Sequence, residues 1–182
     1  ELQGTLPNGD ANTIGTNLSA WTEFKKVFAE SNGSGRLFTN EVTSTYSLVY
    51  TAASAYNGGV LSPAGEIHFV PYSAAVGQKV SSAGIVSTYG LAYTIGGAYI
   101  GGVLAPNGDI HFVPYGASVG QKVSASDVVS TYSLVYTTSI GAYWGGVLAP
   151  NDDIHFIPFN APVGQVITTL AGTPFDIGTC CS

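Results

Sequence analysis

One sentence of sequence is spoken three times in this chain. Gly58-Gly59-Val60-Leu61, Ile67-His68-Phe69-Val70-Pro71 and Gly77-Gln78 return as Gly101-Gly102-Val103-Leu104, Ile110-His111-Phe112-Val113-Pro114 and Gly120-Gln121. They return again as Gly145-Gly146-Val147-Leu148, Ile154-His155-Phe156-Ile157-Pro158 and Gly164-Gln165. His111 follows His68 by 43 residues, and His155 follows His111 by 44. A fixed period of this length marks a stacked supersecondary unit, in which each copy buries its apolar face against the next.

Within each unit the pattern has strand period. Tyr46-Ser47-Leu48-Val49-Tyr50 alternates large and small residues and recurs at Tyr89–Tyr93 and Tyr132–Tyr136. A second strand is expected around Gly58–Leu61. A turn follows at Pro63-Ala64-Gly65, Pro106-Asn107-Gly108 or Pro150-Asn151-Asp152. Asn107-Gly108 is the strongest hairpin signal, because both residue types accept positive φ. A third strand runs over Glu66–Tyr72 and a fourth begins near Gln78. The paired glycines are placed where backbones pack too closely for side chains.

The expected fold is therefore all-β, with three tandem four-stranded antiparallel repeats at about 46–88, 89–131 and 132–172. Such units suit propeller blades, whose edges are shielded by radial repetition, although a closed ring takes about four to eight of them. A β-trefoil is the alternative, since it uses three units of about this length.

The stretch Gly101–Tyr115, Gly-Gly-Val-Leu-Ala-Pro-Asn-Gly-Asp-Ile-His-Phe-Val-Pro-Tyr, resembles the GGVLAPNGxIYxIP-type tandem repeats of long, propeller-like proteins. The resemblance covers about residues 46–170. It implies propeller-like blades and brings no catalytic residues with it.

Residues 1–45 read as an extended arm followed by a short amphipathic helix and a lead-in strand. Ser19 is placed as its N-cap, and Trp21, Phe24, Val27 and Phe28 follow at helical spacing. About three turns are too short to stand alone in water, so this face is expected to dock. Residues 173–182 form a tail carrying Cys180 and Cys181. Adjacent cysteines form a disulfide only with strain, so links to another chain and free thiols stay open.

Composition narrows the function classes. Charged residues make up 9% of the chain, against roughly 25% in ordinary soluble domains. With five basic residues and a net charge of −6, there is no basic stripe for phosphates, so nucleic-acid binding is not expected. No apolar run approaches the roughly 20 residues of a membrane span. The chain begins at Glu1 and holds no Met, which suggests removal of a secretory signal and an extracellular or cell-surface setting.

His68, His111 and His155 occupy equivalent positions, each two residues after an acid. Converging on an axis they would make a three-His metal site. The plainer reading is a structural bond copied with each repeat. No nucleophile elbow accompanies them. No metal, no cofactor and no catalytic residue is expected, and the chain is read as a non-enzyme. Gln78, Gln121 and Gln165 recur as well, positioned to bond backbone between repeats or a ligand.

An unfinished stack leaves bare strand edges, which template pairing with another chain. The expected function is accordingly an extracellular structural subunit that self-assembles into a filament or surface layer. Trp21, Phe24, Phe28, Cys180 and Cys181 are the candidate assembly residues, and copies of the chain itself are the partners. The alternative is a multivalent carbohydrate-binding module using Tyr56, Tyr99, Tyr143 and Trp144. Asn17 and Asn32 open N-glycosylation patterns.

Overall fold

The computed structural model describes residues 43–137 and 141–169. The chain divides into two compact units, 1–45 and 46–182. The described part of the second is built of strands and turns.

Three antiparallel meanders follow one another along the sequence. The first blade holds β1 (Tyr56–Leu61), β2 (Ile67–Pro71), β3 (Gly77–Val80) and β4 (Val86–Tyr89) in sequential order. The second holds β5 (Tyr99–Leu104), β6 (Ile110–Pro114), β7 (Val119–Val123) and β8 (Val129–Ser133), again in order. The third holds β9 (Tyr143–Leu148), β10 (Asp153–Pro158) and β11 (Gln165–Thr168). The register repeats with the sequence: Val60 faces His68, Val103 faces His111 and Val147 faces His155.

The hairpin between the first two strands of each blade closes where the turn residues are. Gly108 takes φ +85° and donates its N–H to the Ala105 carbonyl at 2.9 Å. In the third blade Asp152 does the same work at φ +67°, donating to Ala149 at 3.0 Å. Only glycine and short polar residues adopt this region at low cost.

The core lies between blades. One cluster joins Val60 and Val70 of the first blade to Tyr99, Ile110, Phe112 and Val123 of the second. The next joins Val103 and Val113 to Tyr143, Ile154 and Phe156. Ile110, Phe112, Ile154 and Phe156 are at most 1% exposed. Burying a side chain of this size is worth about 1.5–3 kcal/mol. Backbone bonds cross the same junctions, from Ala98 N–H to the Tyr72 carbonyl (2.7 Å) and from Ala142 N–H to the Tyr115 carbonyl (2.8 Å).

The fold expected from sequence needs three corrections. The sheets hold four, four and three strands among the described residues, not four each. Those residues contain no helix, and the helix expected after Ser19 lies outside them, as do Asn17, Asn32, Trp21, Phe24, Phe28, Cys180 and Cys181. The trefoil alternative also falls, because every described strand ladder stays inside one sheet.

The repeat phase moves too. Tyr46–Tyr50 is not a strand. Its amides are taken by a side chain: Val49 and Tyr50 donate to Gln78 Oε1 at 3.0 and 2.8 Å. The segment expected as a strand from Tyr89 is instead the end of β4 and the loop leaving it.

Candidate functional site

The repeated glutamines Gln121 and Gln165 are brought to the blade junctions. Gln121 Oε1 accepts from the amides of Ala92 and Tyr93 at 2.9 and 2.7 Å, and Gln165 Oε1 accepts from Val135 and Tyr136 at 3.0 and 3.2 Å. Each glutamine thus clamps the loop arriving from the fourth strand of the preceding blade. Gln78 clamps Val49 and Tyr50 in the same way, and Tyr46 stands before that loop as Tyr89 and Tyr132 stand before theirs.

The histidines serve a second interaction, inside each blade. His68 Nδ1 lies 3.3 Å from the Tyr89 hydroxyl, and His111 Nδ1 lies 3.2 Å from that of Tyr132. The tyrosine ring crosses a glycine to get there. A Cβ on Gly77 or Gly120 would fall 2.2 Å from the ring of Tyr89 or Tyr132. Burial holds both imidazoles below their ordinary pKa, His111 down to about 4. His68 Nε2 faces the Glu66 and Asp127 carboxylates at 3.8 and 3.7 Å, while Nδ1 meets the Tyr89 hydroxyl. Burial also pushes the hydroxyls of Tyr89 and Tyr132 far above their ordinary range.

Each of these two histidines is therefore engaged in its own blade rather than aimed at a common metal. Among the described residues, Glu66, His68 and Asp127 form a group with metal-ligand spacing. Its cation is already supplied, for Lys79 Nζ sits 2.7 Å from both carboxylates. Asp127 belongs to the β7–β8 turn, so this bridge ties the second blade to the first. Burial works against the Lys79 charge, but hydrogen bonds to Asp127 and Glu66 outweigh it and raise its pKa. Lys122 pairs at 2.6 Å with Asp109 of its own blade, and burial of Asp109 is outweighed by that bond, which lowers its pKa.

The tyrosines assigned to a ligand face part company. Tyr99 and Tyr143 are fully buried, Tyr56 is half-buried, and Trp144 is 55% exposed. The hydroxyls of Tyr56 and Tyr99 donate to the Val76 and Val119 carbonyls, both at 2.9 Å. A different aromatic row runs across the blades: Tyr72 to Tyr115 (5.8 Å between centroids), Tyr115 to Trp144 (5.7 Å) and Trp144 to Phe159 (5.0 Å).

The second glycine of each pair is a socket. A Cβ on Gly102 would lie 2.8 Å from Val60 of the preceding blade, and one on Gly146 would lie 2.7 Å from Val103. At the two ends of the stack these knobs and sockets have no mates among the described residues. Gly59 faces only Ile67 and His68 of its own blade. Val147 is 55% exposed, where Val60 and Val103 are 9% and 7%. Ile157 is 47% exposed, where Val70 and Val113 show none; Ile67 is 45% exposed, where Ile110 and Ile154 show at most 1%. Sequence reasoning missed Gly59, Val147 and Tyr46 as site residues. The signal was the strict repetition itself, since an end residue is found by asking what its internal copies touch.

The comparisons place this architecture. No protein-family model matches the chain, and no curated protein does. Among solved structures it is similar to virginiamycin B lyase from Staphylococcus aureus, at 19% identity and a TM-score of 0.54, over 63% of this chain and 38% of that one. A structure of a catalytically inactive form of that lyase with quinupristin gives the same figures. A streptogramin B lyase structure matches at 22% identity and a TM-score of 0.48, over 60% of this chain and 38% of that one. The likeness to the Staphylococcus lyase is one of fold, and it makes the blades β-propeller-like. The chain spans about two fifths of the length of these structures. The finding also corrects the expectation of a non-enzyme: a lyase is built on this fold, so the fold gives no ground for excluding catalysis. Among the described residues no helix is long and apolar enough to cross a membrane.

Proposed function

We propose that this chain is a self-assembling repeat subunit whose copies join head to tail. The open face of the third blade in one copy seats on the open face of the first blade in the next. The observation that carries this reading is the exposure of Val147 at a position whose internal copies, Val60 and Val103, are buried in glycine sockets. Gly59 is the matching empty socket, and Ile67 and Ile157 supply apolar surface beside it. Contacts of this head-to-tail kind run on as filaments or close as rings.

The resemblance of residues 46–170 to GGVLAPNGxIYxIP-type repeats belongs to the same reading. So does an extracellular setting, supported by the 9% charged residues. Finding the native protein in a cytosolic fraction would refute that setting. Light scattering across a concentration series tests the assembly. Association is expected for the unmodified chain, and V147E should return it to the mass of one copy without unfolding it. An unmodified chain that keeps the mass of one copy at every concentration overturns the reading.

A further inference from the structure

We infer that the uncharged end of the blades is a binding face for a neutral oligosaccharide, whose sugar rings stack along Tyr72, Tyr115, Trp144 and Phe159. The inference goes beyond head-to-tail joining and does not depend on it.

The row is built by the repeat. Tyr72, Tyr115 and Phe159 are one repeat position, the residue after Pro71, Pro114 and Pro158. Each follows the second strand of its blade, next to the loop that brings in the following blade. Glycines in those loops let the rings sit down. A Cβ on Gly97, at φ +71°, would lie 3.7 Å from the rings of both Tyr72 and Tyr115. One on Gly141, at φ +69°, would lie 3.2 Å from Phe159 and 3.5 Å from Tyr115. Trp144 on β9 stands between Tyr115 and Phe159, and the row is held by packing across three blades. Trp144 and Phe159 are 55% and 59% exposed. Tyr115 has a blade on either side and is still only half-buried, so its accessible surface belongs to this end of the blades and not to a border of the array. Of the aromatics expected from sequence to meet a ligand, Trp144 alone stands in this row.

The two ends of the blades differ in charge. Glu66, Asp109, Asp152 and Asp153 stand at the hairpins between the first two strands of each blade, and Asp127 stands at the β7–β8 hairpin. Lys79 and Lys122 are bonded to acids of this set. These are all the charged residues of 43–169. The aromatic row lies at the other end of the same strands, which carries no charge among the described residues. Its polar groups are neutral. Ser73 Oγ accepts from the Gly97 N–H at 3.3 Å and keeps its own proton to donate. Asn160 is exposed, with its amide against Gly141.

Aromatic faces with a few neutral hydrogen-bonding groups beside them match a sugar, whose ring has a C–H face and a hydroxyl rim. An acidic glycan finds no cation here. A proline-rich strand docks its rings into slots between aromatic walls. No such slot exists, because neighbouring rings touch, with centroids 5.8, 5.7 and 5.0 Å apart along the row. Their outer faces are what remains for a ligand. Interplanar angles of 48°, 69° and 45° turn successive faces out of one plane. That suits a single soluble chain rather than the flat surface of a crystalline polysaccharide.

Titration of the full chain carrying W21F tests this, since Trp144 is then its only tryptophan. Soluble neutral hexamers of glucose, mannose and galactose are the probes. At least one should shift the Trp144 fluorescence saturably, bind more tightly than its dimer, and hold the same affinity at low and high salt. By calorimetry W144A and Y115A should each weaken binding about tenfold or more, as loss of an aromatic anchor does. Y115F keeps the ring and should bind as the parent does, which separates a stacking role from a folding defect in Y115A. A panel in which no neutral hexamer binds would overturn the inference. So would affinity unchanged in both W144A and Y115A, tighter binding of an acidic hexamer of galacturonate, or a proline-rich peptide that binds where the sugars do not.

Discussion

The glycine sockets allow an internal comparison between two chemically identical substitutions. In G146A the new Cβ lies 2.7 Å from Val103 Cγ2, 3.1 Å from Val113 Cγ2 and 3.2 Å from the Phe156 ring. All three neighbours are buried, at 7%, 0% and 1% exposure. Carbon atoms pack best at about 3.5–4.0 Å, so the second and third blades must part by roughly 1 Å. Overpacking of that kind costs about 1–3 kcal/mol. Restricting the unfolded chain by replacing glycine returns about 0.4–1 kcal/mol, leaving a net loss near 1–2 kcal/mol. In G59A the nearest atoms are Ile67 Cγ2 at 3.3 Å and the His68 carbonyl oxygen at 3.4 Å. Ile67 is 45% exposed and free to turn away, so this variant should keep or slightly gain stability. The two should differ by about 2 kcal/mol, or roughly 8 °C in Tm for a stack of this size. Thermal unfolding followed by circular dichroism, on protein dilute enough to be dissociated, measures the gap. Equal losses in both variants, or no loss in G146A, would show that blades are not seated through these glycines.

Two further expectations concern the buried polar groups. His111 holds its pKa near 4 in the folded state, against an ordinary 6.5. Its contribution to stability is intact above pH 6.5 and falls as the unfolded chain takes up the proton, by about 2 kcal/mol at pH 5, levelling off below pH 4. Urea midpoints should drop between pH 7.5 and 4.5, and less steeply in H111Q; parallel slopes would refute the assignment. The Tyr99 hydroxyl is bonded, whereas that of Tyr143 is buried and without a partner among the described residues. Y99F should therefore lose about 1 kcal/mol and Y143F should be neutral or stabilising; the reverse order in a denaturant titration would count against both bonds.

Much of this architecture was legible in the sequence, and the shortfalls have physical causes. Ile67–Pro71 and its copies alternate and read directly as strands. Tyr46–Tyr50 alternates as well, yet its amides bond to a glutamine 28 or 29 residues away, a choice local pattern cannot carry. The regular recurrence of the histidines, 43 and then 44 residues apart, gave no clue to direction, because a residue copied with a repeat recurs in this way whether it meets an axis or a tyrosine of its own sheet. Tyr99 and Tyr143 looked like open aromatics; their burial depends on the neighbouring blade, which periodicity within one repeat does not see. The low charge does not say which apolar residues stay uncovered.

The interior of this protein lies between its sheets, and each described sheet is a run of strands consecutive in sequence. A duplication or loss of one whole unit would lengthen or shorten the array while leaving the same glycine at one border and the same valine at the other. Recombination could thus vary the number of units among descendants without any fresh solution for the termini. The joint between molecules and the joint within a molecule would stay under a single selection pressure.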